Sequence, residues 1–368
     1  MGISDAVNGL YAEESWRYSL ADYAVKLSGG KWKAYPHLEY TAALIQAALL
    51  KENSRVVISE PPRHGKSELA SHWLPTWFLD WFPEKRVILT SYGDSLAADF
   101  SRKVKENFLY NPLTWTELDR GQLRTNDWRT TKGGGMRATS VGGPITGHGG
   151  QLIIVDDPHK NWEEAMSTTI RNKVINWFLA TLYTRAEPGA AIIVIQTRWH
   201  QNDLAGYLLD EHGDDWTNIR LPGFAEDGDP LGRSRGEALC EERYSEEDLK
   251  RVEESIGSRM FAGLYQQRPS VEAGNIVKRD WAQFYGGPTG VELPKFGDGD
   301  TLQSWDMSFK QTKFGSYVVG QVWGSHGANH YLLDQVRGRW DFAESKKQVL
   351  RLSGKWPKVT IKLIEDAA

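Results

Sequence analysis

The chain has a single cysteine, Cys240. One cysteine excludes an internal disulfide framework and a cysteine-based zinc site, and it fits a reducing compartment. No apolar run reaches the roughly 18 residues a membrane-spanning helix needs. The opening MGISDAVNGLYAEESW has no basic stretch ahead of an apolar one, so neither secretion nor membrane insertion is expected. Internal repeats and low-complexity tracts are absent too. Positive charge is not in excess: 44 Lys and Arg face 48 Asp and Glu, a net of −4. That balance argues against wholesale coating of nucleic acid and confines any DNA-binding surface to a local patch.

What is present is an ordinary globular composition, 40% hydrophobic and 25% charged over 368 residues, long enough for two domains. The charge is uneven. From Thr301 onward there are 10 Lys and Arg against 6 Asp and Glu, or +4, which leaves −8 for residues 1–300. Much of that acidity lies between Asp203 and Glu254 and reads as solvated helical surface.

Short apolar runs alternate with longer amphipathic segments through the first two hundred residues. Arg55–Ser59, Arg86–Ser91, Leu152–Val155 and Ala191–Gln196 read as buried strands; Lys66–Leu79, Asp94–Phe108 and Trp162–Arg185 read as helices. The alternation predicts an α/β domain, a parallel sheet covered by helices on both faces, with ligands at the carboxyl ends of its strands. The Gly- and Pro-rich stretch 219–238 breaks the pattern, and Glu246–Ile256 is a short helix. Residues 1–262 form the first domain in this reading, 263–280 a linker, and 281–368 a second domain. There Leu302–Met307, Tyr317–Trp323 and His330–Val336 read as meandering strands, Phe342–Leu352 as a helix and Val359–Glu365 as a parallel strand. That order opens an RNase H-like fold.

The most informative stretch is SEPPRHGKSELAS, Ser59 to Ser71. Gly65-Lys66-Ser67 follows a strand and opens a helix, as a phosphate-binding loop does: backbone N–H groups wrap the phosphates, Lys bridges the outer ones, and Ser holds Mg²⁺. Glu60, however, stands where the first glycine of that pattern belongs, with Pro61-Pro62 available to stiffen the loop's front. A second buried strand, QLIIVDD, delivers Asp156 and Asp157 side by side. Two adjacent acids are costly there unless a cation or water uses them. Asp156 is expected to hold Mg²⁺ through water and Asp157 to orient the attacking water. A third strand ends in Gln196-Thr197-Arg198, placing polar groups beside the same phosphates. Trp32, Tyr35 and His37 lie upstream where an adenine could stack, although aromatic core packing explains them as well.

PPRHGKSELAS, GGPITGHGGQLIIVDDP, TLYTRAEPGAAIIVIQTRWHQNDLAGYL, LYQQRP, LQSWDMSFK and IEDAA together resemble the large terminase subunit of tailed bacteriophages, from about Trp32 to the last residue. The resemblance implies an ATP-driven motor that moves double-stranded DNA into a procapsid, joined to a metal-dependent endonuclease. Within it, Glu60 is a family variant and Arg63 senses or stabilises the terminal phosphate. Pro62, Arg63, His64, Gly65, Lys66, Ser67, Asp156, Thr197 and Arg198 make the ATP site, with Ser67 and Asp156 on Mg²⁺. Thr197-Arg198 resembles the segment that couples hydrolysis to movement. Similar proteins often end the acidic strand Asp-Glu; here the catalytic carboxylate, Asp157, is one methylene shorter. They also often carry Arg where this chain has His148, which leaves Arg102, Arg137 and Arg171 as candidates for an arginine supplied to a neighbouring subunit. The implied partners are a portal protein and procapsid, a small terminase subunit and further copies in a ring, in the host cytoplasm.

In the second domain Asp306 and Glu365-Asp366 end neighbouring strands, as a two-metal nuclease with Mg²⁺ or Mn²⁺ requires. Asp306 and Glu365 are the expected catalytic pair, with Asp306, Glu365 and Asp366 as metal ligands. Similar sequences often have Asp in place of Ser316 and take a third carboxylate from a later helix, so the domain reads as cut short at Ala368. Lys310, Lys313, Arg337, Arg339, Lys346 and Lys347 could grip phosphates without reading bases. Two other readings stay open: a DNA-binding and assembly module with an inactive nuclease, and a helicase-like ATPase fused to a nuclease.

Overall fold

The structure is a computed structural model that describes residues 14–145, 147–269, 284–285, 292–297, 299–307, 317–327 and 329–364. The chain divides into two units, Met1–Asn275 and Ile276–Ala368.

The first unit is built on an eight-stranded sheet of β1 (Arg55–Ser59), β2 (Arg86–Ser91), β3 (Leu118–Arg124), β4 (Asp127–Thr130), β5 (Gly135–Ser140), β6 (Gly150–Asp156), β7 (Ala186–Gln196) and β8 (Thr217–Arg220). Their order is β3-β4-β5-β2-β6-β7-β1-β8. From β5 to β8 all pairings are parallel; β3 and β4 add an antiparallel edge. The four expected strands are its centre. They are apolar at successive positions because both faces are covered. Val56, Ile58, Leu152 and Ile154 join Leu69, Leu74 and Phe78 in one core, while Val57, Ile153 and Val155 join Phe178 and Leu204 in the other. The alternation of neighbours between cores is the two-residue period of a strand.

Two expected helices depart from the expectation. The segment after the glycine-lysine-serine is a π-helix, Glu68–Trp73, that runs into the α-helix Leu74–Trp81. The segment read as one helix from Trp162 to Arg185 is four: Trp162–Met166, Thr168–Trp177, a π turn Phe178–Leu182 and a 3₁₀ turn Tyr183–Arg185. Ser167 makes the first break. Its backbone is extended and its hydroxyl accepts from the N–H of Ile170, so it caps a new helix where hydrophobic period alone runs on.

The second unit has a four-stranded sheet in the order β11-β10-β9-β12, with β9 (Thr301–Asp306), β10 (Val318–His326), β11 (Asn329–Gly338) and β12 (Ile361–Ile364). The first three pair antiparallel; β12 pairs parallel with β9 after the helix Phe342–Lys355. Gly320 lies opposite Trp305, and a Cβ there would sit 2.4 Å from the indole ring. The glycine is what lets that ring cover the strand and anchor a small core with Val318, Val322, Leu352 and Val359. Among the described residues no helix is long and apolar enough to cross a membrane.

Candidate nucleotide site

The loop after β1 has a buried front end braced from one helix. Along Pro36–Leu49, residues 37, 38 and 41 share a face. Thr41 Oγ1 donates to Glu60 Oε1 at 2.8 Å, His37 Nε2 donates to the His64 carbonyl at 2.9 Å, and Leu38 lies under Gly65. A Cβ at Gly65 would come within 3.0 Å of Leu38 Cδ1, and its φ of +103° favours glycine. Arg63 takes φ 66° without that freedom, a strained backbone of the kind found where a loop is shaped for a ligand. His64 donates from Nδ1 to the Pro62 carbonyl at 3.0 Å and stacks on Tyr244. Burial pushes both histidines down to about 4, so each is neutral at pH 7 with its one proton on the bonded nitrogen. Glu60 is fully buried, and desolvation lifts its carboxyl to about 7 against the opposing Thr41 bond and Lys66 charge.

Beyond the loop, three strand ends converge. Lys66 Nζ donates to Thr197 Oγ1 at 2.8 Å and lies 3.5 Å from Asp157 Oδ2. Asp157 accepts the Thr197 N–H at 2.8 Å through its other oxygen and has φ 43°. Asp156, fully buried, accepts from Ser67 Oγ at 2.9 Å and from Ser71 Oγ at 2.8 Å. Burial first, and the neighbouring Asp157 charge second, hold the Asp156 carboxyl above its ordinary range. Desolvation of an acid next to another acid is relieved by a cation, and Ser67 and Asp156 offer hard oxygen donors suited to Mg²⁺.

Pro62, Arg63, Gly65, Lys66, Ser67, Asp157 and Thr197 line one cleft of about 640 Å³ together with Trp32. That volume suits a small-molecule ligand. Three expected residues do not line it, Asp156 among them, fully buried against Ser67 and Ser71. The His64 ring is buried against Tyr244 and supports the loop from behind. The Arg198 guanidinium is spent on the fully buried Asp203, 3.0 and 3.1 Å from its oxygens, and on the Gln201 carbonyl. Of the upstream aromatics only Trp32 reaches the cleft; His37 is buried beneath the loop with Tyr35 stacked on it. Arg102 pairs with Asp99 and Glu106, Arg137 with Asp127, and Arg171 is buried against the Ala165 carbonyl. His148 is half-buried. Sequence reasoning missed Ser71, His159 and Arg243. Ser71 is one helical turn past Ser67, a spacing that could have flagged it, whereas Arg243 lies in an irregular stretch with no periodic signal.

In the second unit Asp306 is exposed at the end of β9, and β12 ends with Ile364 opposite Trp305. Glu365, Asp366, Lys310, Lys313 and Ser316 lie outside the described residues. Arg337 and Arg339 sit over the Tyr317 ring at 3.7 and 4.8 Å, Lys347 pairs with Glu344, and Lys346 is exposed. No group of three or more His, Cys, Asp or Glu placed to hold a metal occurs among the described residues.

The bacteriophage HK97 large terminase is similar in structure at 13% identity and a TM-score of 0.47, over 95% of this chain and 74% of that one. The Thermus phage P74-26 large terminase ATPase domain gives 17% and 0.42, over 68% and 100%. A large terminase of a thermophilic bacteriophage, in complex with ATP-γ-S, gives 11% and 0.41, over 90% and 76%. A search of curated proteins finds no match. The sequence of residues 57–284, more than half of the chain, matches the family model for the T4likevirus-type terminase large subunit, N-terminal part. That match begins in β1 and takes in the loop after it, Asp156 at the end of β6, Asp157 just beyond it and Thr197, and by it the chain belongs to the terminase large subunit family.

Proposed function

We propose that the first unit hydrolyses ATP and uses the energy to move double-stranded DNA into a procapsid. The observation that carries this reading is that Lys66 meets Thr197 and Asp157 in a cleft that Ser67 also lines, with Asp156 buried directly against Ser67. Lys66 is prepaid for binding: its charge is held in the cleft by Thr197 and Asp157, and an outer phosphate can replace those partners. Gly65 and the first turn of the helix turn N–H groups toward the phosphates. Ser67 and Asp156 would hold Mg²⁺, which would supply positive charge against the phosphates. Asp157, kept in place by the Thr197 N–H, orients the attacking water. Because that same N–H leads into Arg198 and its Asp203 partner, a change at Asp157 reaches the helix Leu204–His212, which Asp203 caps. This is the route by which turnover would drive movement.

The second unit supports a metal-dependent endonuclease reading through its topology: an antiparallel meander, a helix and a parallel strand that pairs with β9 as far as Ile364 opposite Trp305. Asp306 with Glu365 and Asp366 would hold Mg²⁺ or Mn²⁺ there. Portal protein, small terminase subunit and a ring of copies in the host cytoplasm complete the reading. The test of the motor is ATP turnover by the chain with and without duplex DNA, against Lys66→Ala. Turnover stimulated by DNA and abolished by the substitution supports it; normal turnover in Lys66→Ala would place hydrolysis elsewhere. Unwinding of a forked duplex would favour the helicase alternative.

A further inference from the structure

Two residues after Asp157, the imidazole of His159 lies against the nucleotide cleft, 2% exposed, and neither ring nitrogen has a hydrogen-bond partner. A buried imidazole with both nitrogens unpaired is costly, so a partner that the fold does not itself supply is called for. The charged groups around it are already committed. Asp203 accepts from Arg198 and from the N–H groups of Trp199, His200 and Gly206. Arg171 donates to the Ala165 carbonyl and Thr168, Glu164 accepts the Lys160 N–H, and Asp157 holds Thr197 and Lys66. None of these bonds reaches the ring, which borders the cleft. The segment that carries His159 leaves β6 through the left-handed backbone of Asp157.

We propose that His159 reads the terminal phosphate of a bound nucleoside triphosphate, donating a ring N–H to it and so reporting the difference between triphosphate and diphosphate to the Asp157 segment. The inference rests on the ATP-site reading above. Burial and the nearby Arg171 lower the affinity of the ring for a second proton, which leaves it a neutral donor, suited to a phosphate that comes and goes.

The experiment is the affinity of the full chain for ATP-γ-S and for ADP by calorimetry, in the wild type, His159→Ala and His159→Gln, with ATP turnover alongside. The expected result for His159→Ala is about a tenfold loss of ATP-γ-S affinity with ADP affinity within about twofold, the size of one hydrogen bond to a charged group. His159→Gln, which keeps a donor, should recover part of the preference. Preserved ADP binding is itself the evidence that the variant is folded. Equal weakening of both nucleotides, or an unchanged preference, would overturn the proposal and make His159 a packing residue. If the wild type binds neither nucleotide, the ATP-site reading fails and the inference with it; if the wild type binds and turns over ATP, only the role of His159 is in question.

Discussion

Thr41 Oγ1 donates to Glu60 Oε1 across 2.8 Å, joining a helix upstream of the sheet to the residue that stands where a phosphate loop ordinarily begins with glycine. The bond explains how the loop tolerates a carboxyl at its entrance. Glu60 points away from the cleft into a fully buried site and ties the loop to a rigid element.

The first consequence concerns that bond. Thr41→Val keeps the shape and removes the donor, leaving a buried carboxyl with no protein partner. It should cost about 1–3 kcal/mol of stability, read by chemical denaturation, and should weaken nucleotide binding because the loop loses its brace. Thr41→Ser should retain most of both. An unchanged denaturation midpoint in Thr41→Val would show that Glu60 is satisfied in some other way.

The second concerns pH. Burial holds Glu60 at about 7 against an ordinary value of 4.5, so between those values the folded chain binds more protons than the unfolded one. Its contribution to stability is therefore full below pH 4.5 and declines as pH rises toward 7. Glu60→Gln removes that dependence. The variant should gain on the wild type by up to about 3 kcal/mol between pH 4.5 and 8, with Asp156 common to both proteins and cancelling in the difference. Parallel stability curves would mean that Glu60 titrates normally.

The same region shows how far the sequence could be read. The central strands were legible because continuous apolar runs such as VVI and LIIV need cover on both faces, and the strand-loop-helix around Lys66 followed from them. The brace of the loop was not. Thr41, His37 and Leu38 act through one helix face packed on a loop 19 to 27 residues later, and nothing in a linear pattern couples Thr41 to Glu60. Their place in a motif puts His64 and Arg198 at the nucleotide, yet their side chains turn to Tyr244 and Asp203. Motif position fixes the backbone better than the direction of a side chain. The split of Trp162–Arg185 depended on one serine cap that period counting passes over.

A third prediction tests the division of labour between the adjacent acids. Asp157→Asn keeps an acceptor for the Thr197 N–H but loses the charge facing Lys66, so ATP binding should persist while turnover falls by about 10²–10⁴. Asp156→Asn removes the charge that Ser67 and Ser71 surround, and it should weaken the Mg²⁺ dependence of binding instead. Loss of turnover without any change in Mg²⁺ dependence in both variants would remove the distinction between them.

The last prediction concerns the second unit, where Asp306 ends β9 beside the parallel strand β12, described up to Ile364 opposite Trp305. Metal-dependent cleavage needs acids from both strands, and Asp306 is the one among the described residues. Nicking of supercoiled plasmid by the chain with Mg²⁺ or Mn²⁺ should fall to background in Asp306→Ala, while ATP turnover by the first unit stays within about twofold because Asp306 has no part in the cleft. Nicking that survives the substitution would detach Asp306 from any metal. If neither protein nicks while both turn over ATP, the carboxylates ending these two strands do not make a working nuclease on their own.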